Sequence, residues 1–203
     1  AAIVSIALNP AMYRWVKRWV GAARAWDFSK SSGEASIDPR HTVLVGYGPV
    51  GRIVHRLLLE GGGKVTIVDL NLATVRRLKA QGHDALHGDV LRAGLLQEAG
   101  VGTAASLILS ADVQDAPEIV RQAKRLNPSL RVLARCAHLR DAAALRDAGA
   151  EVVAAGEAEV GVSLAEAVSA ATLPSAEARQ HQRQEVRERL YGSGDAAAAN
   201  EGT

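Results

Sequence analysis

The stretch His41-Thr-Val-Leu-Val-Gly-Tyr-Gly-Pro-Val-Gly51 decides the fold. Thr42–Val45 reads as a buried strand, because a short apolar, β-branched run bounded by glycines suits a sheet interior. The chain then turns into a helix through Gly46-x-Gly48-x-x-Gly51. Gly46 permits the tight turn, and Gly48 lets the backbone approach a pyrophosphate with no side chain in the way. Gly51 lets the helix pack close to the strand. The helix start, with Tyr47, Pro49 and Val50 completing the turn, points unpaired N–H groups and the positive dipole end at the phosphates. A second strand, Lys64-Val-Thr-Ile-Val-Asp69, ends in an acid placed to bind a ribose 2′-hydroxyl. A carboxylate there accepts hydrogen bonds from a ribose diol and repels a 2′-phosphate. The expectation is therefore NAD(H) or an adenine nucleotide (AMP, ADP or ATP) over NADP(H). No arginine follows Asp69, and Leu70 is assigned to the same site. The glycine spacing alone is a weak signal; strand, turn, amphipathic helix, second strand and terminal acid together are a strong one.

Outward from this unit the pattern alternates. Strands are expected at Thr42–Val45, Lys64–Val68, Asp84–His87, Ser106–Leu109, Arg131–Ala134 and Glu151–Val153. Helices are expected near Val50–Glu60, Leu72–Gln81, Leu91–Ala99, Ala116–Leu126, Leu139–Ala148 and Val160–Thr172. Val50, Ile53, Val54, Leu57 and Leu58 have the helical period. Gly61–Gly63, Gly82, Gly100, Asn127-Pro128 and Gly149 fall where helices should stop. Six strands alternating with helices make an α/β fold of Rossmann type: a doubly wound parallel six-stranded sheet with helices on both faces and the site at the carboxyl ends of its strands.

Composition agrees. The chain has 203 residues, 48% hydrophobic but only 3% aromatic, so its core must be Val, Leu, Ile and Ala, as in a helix-covered parallel sheet. A formal net charge of +2 and the lack of a basic, aromatic-laced stripe argue against nucleic acid. With Cys136 as the single cysteine, no intramolecular disulfide is possible. The first residue is Ala1 and the single methionine is Met12, so a fragment or processed product is expected. Ala1–Leu8 is apolar and is followed by Tyr13, Arg14, Trp15, Lys17, Arg18, Trp19 and Arg24. Residues 1–20 therefore read as the end of a membrane helix with its cytosolic flank, or else as an amphipathic helix. A linker at 21–39, a nucleotide-binding domain at 40–173 and a polar tail at 174–203, expected to be disordered, complete the division.

Other site candidates leave alternatives open. Asp89, followed by Val90, ends the third strand, where it either meets the adenine or caps the run from Leu91. Ser110-Ala-Asp112 ends the fourth strand, where a dinucleotide's second half would run; Asp112 is also a candidate turn or N-cap residue. Arg135, ending the fifth strand, would meet a phosphate, a partner subunit or a surface acid. His83 and His87 are spaced like a metal pair, but four strand residues at about 3.3 Å each put them about 13 Å apart. No CxxC, HExxH or GxSxG occurs, and Cys136 reads as a small core residue. A nucleotide site is legible; a catalytic one is not.

Val43-Leu-Val-Gly-Tyr-Gly-Pro-Val-Gly51, Val68-Asp69, Gly82…Gly88-Asp89, Leu95-Leu-Gln-Glu-Ala-Gly100 and Val132-Leu-Ala-Arg-Cys136 together resemble the TrkA-N, or RCK, domain that regulates potassium channels and transporters. Leu145-Arg-Asp-Ala-Gly-Ala-Glu-Val-Val153 and Gly156-Glu-Ala-Glu159 resemble its Kef-type antiporter branch. The resemblance implies a cytosolic domain on the inner or plasma membrane, joined in cis to a monovalent cation:proton antiporter. It implies a homodimer and a bound NAD(H) or adenine nucleotide that gates transport, with scope for a further small-molecule effector. Gly46, Gly48 and Gly51 would hold the phosphates, Asp69 the ribose and Asp89 the adenine end, with Arg135 at the far end or the subunit interface. It implies no enzyme. A soluble NAD-dependent oxidoreductase and a separate regulatory subunit are the alternatives.

Overall fold

The computed structural model describes residues 37–92, 94–172 and 175–197. The expected membrane-helix end and most of the linker lie outside them. Six strands form one sheet: β1 Asp38–Val45, β2 Lys64–Asp69, β3 Asp84–His87, β4 Ala104–Leu109, β5 Arg131–Cys136 and β6 Val152–Ala155. All pairings are parallel and the order is β3-β2-β1-β4-β5-β6, the Rossmann arrangement. The order reverses between β1 and β4, whose carboxyl ends therefore open a crevice. β1 begins at Asp38, earlier than the expected Thr42, because its first residue pairs with Ala104.

The helices are α1 Pro49–Glu60, α2 Leu72–Ala80, α3 Leu95–Glu98, α4 Ala116–Leu126, α5 Ala142–Asp147, α6 Gly156–Thr172 and α7 Ala176–Ala197, with a 3₁₀ turn at Leu139–Asp141. Successive strand residues point to opposite faces, which divides the core. Leu44, Ile67, Ile108 and Leu133 meet Val54 and Leu57 of α1 and Val75 and Leu78 of α2. Val43, Val45, Leu107, Leu109 and Val132 meet Leu95 and Leu96 of α3, Ile119, Val120 and Ala123 of α4, and Leu145 of α5. Buried polar groups are paired across strands. Thr42 and Ser106 share a hydroxyl bond of 2.8 Å, and His41 Nε2 lies 2.9 Å from Thr66 Oγ1, which donates to Asp84 at 2.7 Å.

Three expectations are corrected. The helix expected over Leu91–Ala99 is confined to Leu95–Glu98, because Gly94 takes φ +87° and interrupts helical backbone. The helix expected from Val160 starts at Gly156; Glu157 and Glu159 lie in its first turn, where acids complement the dipole. The segment from 176, expected to be disordered, is the helix α7. Its attachment to α6 is mostly polar, which is why apolar periodicity does not reveal it. Arg187 meets Glu159 at 2.5 Å, Arg183 meets Glu166 at 2.6 Å, and Ser169 donates to Gln182 at 2.6 Å. Leu190 and Tyr191 pack on the core, and the Arg146 guanidinium lies over the Tyr191 ring.

Candidate nucleotide site

β1 ends at Val45, and Gly46 turns the chain with φ +89° while its N–H donates to the Val68 carbonyl at 2.8 Å. That turn brings the end of β2 against the loop. Asp69 is half-buried there and accepts twice from backbone: Oδ2 from the Tyr47 N–H at 2.6 Å and Oδ1 from the Asn71 N–H at 2.7 Å. Each oxygen keeps a second lone pair, enough to receive a ribose diol. Asn71 in turn caps α2 by accepting from the Thr74 N–H at 3.0 Å.

Gly48 is the exposed N-cap of α1, in extended backbone with no side-chain cap, and Pro49 opens the helix. A Cβ built on Gly48 meets nothing within 4 Å, so the space above the helix start is clear. Pro49 carries no N–H, and the first helical bond runs from the Arg52 N–H to the Gly48 carbonyl at 3.0 Å. The N–H groups of Val50 and Gly51 lie ahead of it, as orphan donors of a helix start do. Gly51 serves packing: a Cβ there would lie 2.1 Å from the Gly46 carbonyl oxygen and 2.8 Å from Ser110 Oγ.

Gly46, Tyr47, Gly48, Pro49, Val50, Gly51, Asp69, Leu70 and Asp89 thus gather at the carboxyl ends of β1, β2 and β3. Leu70 is 70% exposed there, and His87 Nε2–H donates to its carbonyl at 3.0 Å. Asp89 is exposed, and its carboxylate accepts from the Leu91 N–H at 2.9 Å, which closes a turn rather than capping a helix at Leu91. Val90 turns inward and is core, so its side chain does not line the site. Ser110 is buried beneath the loop, where its hydroxyl lies 2.8 Å from the Gly46 carbonyl and 3.0 Å from that of Val45. It props the turn from below rather than facing the crevice. Arg135 stands apart from this group. It lies two strands from β1, about 10 Å at the usual strand spacing, half-buried beside Gly156 at the start of α6. Asp112 does not cap α4; that place belongs to Asp115.

Cys136 is buried, and burial, followed by the charges of Asp141 and Asp112, pushes its thiol up to about 11. It is a core residue without thiolate character at neutral pH. His83 and His87 diverge: His87 serves the Leu70 carbonyl, whereas His83 stacks edge-on against His55 at 4.7 Å between centroids. Among the described residues no group of three or more His, Cys, Asp or Glu is placed to hold a metal. Sequence reasoning missed His55, which is 4% exposed on α1 with its Nδ1 3.2 Å from the Tyr47 hydroxyl. No local pattern marks a residue eight positions beyond the turn as its neighbour.

The TrkA-N domain model matches residues 42–156. The chain is 27% identical over 175 residues to the putative cation/proton antiporter YbaL of Escherichia coli K12, covering 81% of this chain and 31% of that protein. It therefore spans about a third of that relative. The solved TrkA-N domain of the inner membrane protein ybaL from Escherichia coli superposes with TM-score 0.59 at 28% identity, over 63% of this chain and 95% of that one. A Shewanella denitrificans Kef CTD in AMP-bound form gives TM-score 0.63 at 22% identity, over 77% of this chain and 98% of that one. The GsuK channel bound to NAD gives 0.56 at 22% identity, over 68% and 24%. The last two show the fold alone. With the family model covering most of the sheet and its glycine turn, the chain belongs to the TrkA-N domain family.

Proposed function

We propose that this chain is the nucleotide-sensing regulatory domain of a Kef-type cation:proton antiporter. NAD(H) or an adenine nucleotide binds across the carboxyl ends of β1–β3 and gates transport in a membrane domain joined to it, with this domain facing the cytoplasm. The observation that carries the reading is the pairing of Asp69 with the glycine turn. One carboxylate holds the Tyr47 N–H while keeping lone pairs for a ribose, directly beside a helix start whose Gly48 leaves room for phosphate. The relatives support it: YbaL is a putative cation/proton antiporter, the Kef CTD structure holds AMP and the GsuK structure holds NAD. Asp69 favours an unphosphorylated ribose, so NADP(H) is disfavoured.

The nucleotide acts by population shift, binding one arrangement of the regulatory domains more tightly than another. Those domains pair as a homodimer. Val160, Leu164 and Val168 form an uncharged stripe on α6, 47%, 64% and 62% exposed. Their spacing is symmetric about Leu164, so a two-fold axis there sets Val160 against the partner's Val168. The acids of α6 are engaged elsewhere: Glu157 by His138 and the Leu139 N–H, Glu159 by Arg187, Glu166 by Arg183.

Calorimetric titration with AMP, ADP, ATP, NAD+, NADH and NADP+ tests the site. Binding of NAD(H) or an adenine nucleotide but not NADP+, lost in Gly48→Asp with the fold intact, is expected. Undiminished binding by Gly48→Asp would remove the assignment.

A further inference from the structure

Gly46 and Gly48 are the freest backbone positions of the phosphate turn, and between them stands one side chain, Tyr47. That residue is tethered twice. Its N–H donates to Asp69 at 2.6 Å, and its hydroxyl reaches back over the turn to His55 Nδ1 at 3.2 Å, with the two rings meeting edge-on at 5.5 Å. His55 is 4% exposed on α1, and the His83 ring meets it at 4.7 Å and 86°. Nothing in the nucleotide site itself calls for a buried imidazole on α1 with a second, half-buried one against it.

We propose that His55 is the positioning residue of the nucleotide turn: its hydrogen bond to Tyr47 holds the turn in the form that accepts phosphate, and its protonation releases the turn, so that nucleotide affinity falls in acid. The inference rests on the nucleotide reading of the site.

A phenol donates to Nδ1 only while the imidazole is neutral with its proton on Nε2. Protonation puts an N–H where the acceptor was. The phenol must then reverse and find another partner for its own proton, and a cation is left in an apolar surround. The groups around His55 do not compensate. From the turn comes Tyr47, and from the α2–β3 connection comes His83, whose ring meets His55 edge-on and offers it no negative charge. Arg52, Arg56 and Glu60 of α1, Arg76, Arg77 and Lys79 of α2, and Lys64 of β2 are exposed. Leu44, Ile67, Val75 and Leu78 of that side of the core carry no charge. Burial first, then His83, pushes His55 below its ordinary 6.5. The held turn therefore prefers the neutral ring, and a released turn lets it titrate nearer its ordinary value. Affinity is full above about pH 6.5 and falls below it, by at most about ten-fold per pH unit for one proton.

NAD+ is the probe, since its pyrophosphate diester does not titrate in this range. Affinity is measured between pH 5.5 and 7.5 for the wild-type chain, His55→Asn and Tyr47→Phe. Asparagine keeps a hydrogen-bonding group at the Nδ1 position but does not titrate. The wild type should weaken in acid, and His55→Asn should bind about as tightly at pH 7.5 with a flat profile. Tyr47→Phe should lose about five-fold at pH 7.5, the size of one hydrogen bond, and also lose the pH dependence. A wild-type pH profile in His55→Asn, or unchanged affinity in Tyr47→Phe, overturns the proposal. Amide exchange at Tyr47 needs no nucleotide: its protection should drop at pH 5.5 in the wild type and not in His55→Asn. If neither NAD(H) nor an adenine nucleotide binds the wild type, the proposed function fails. The exchange comparison then decides the tether alone, and equal acid sensitivity in the two chains overturns it.

Discussion

The three glycines of the turn carry one motif but answer to different forces, and substitution should separate them. A Cβ at Gly48 enters open space, so Gly48→Asp should unfold in urea close to the wild type while binding is lost. A Cβ at Gly51 meets the Gly46 carbonyl oxygen at 2.1 Å, backbone that cannot step aside. Gly51→Ala should cost at least about 2 kcal/mol in the same urea experiment, as overpacked sites do. Equal stabilities for the two variants would contradict this division. A second residue-scale prediction concerns acid. His41 is 5% exposed with its Nε2 on Thr66, and burial, then Lys64, pushes its pKa below the ordinary 6.5. The folded state thus holds His41 neutral, and the unfolded chain binds the extra proton. Its contribution is complete above about pH 6.5 and declines as pH falls below that, with a slope of at most about 1.4 kcal/mol per pH unit. His41→Gln should flatten that slope when urea unfolding is repeated from pH 7.5 to 5.5.

At the scale of elements, α7 depends on a small number of polar clasps. The Tyr191 hydroxyl donates to Glu159 at 2.8 Å and accepts from the Ala155 N–H at 3.1 Å, tying α7 to the last residue of β6. Burial and the Glu159 carboxylate hold the phenol protonated well above its ordinary range, so the clasp persists through neutral and mildly alkaline pH. Tyr191→Phe removes the partner of a fully buried N–H and should cost about 1–2 kcal/mol. Amide exchange should show the loss concentrated in α7, and protection equal to the wild type would argue against the clasp. The short α3 shows the opposite case, in which local backbone wins. Gly94 in left-handed conformation and the Asp89 turn take the first half of the expected helix.

At the scale of the molecule, an all-parallel sheet must be covered on both faces, and α1–α2 and α3–α5 divide that task. What they leave outside is the uncharged stripe of α6. If the homodimer forms there, Leu164→Glu places two like charges on the two-fold axis. Light scattering should then report a monomer at concentrations where the wild type is dimeric, with nucleotide affinity per chain changed little. A persistent dimer would send the interface to another face.

The order of elements, the sheet type and the glycine turn with an acid beside it could be read from residue order, because each rests on local rules. Apolar runs set strands, glycine spacing sets the turn, and βαβ connections have one hand. The Gly46–Gly51 turn and Asp69 were legible for that reason. Tertiary structure decided the rest. It buried Val90 and Ser110, set Arg135 two strands away, joined Tyr47 to His55 and His83, and bound α7 to α6. Those outcomes depend on which side chains meet across the fold, and polar contacts between distant residues leave no period along the chain.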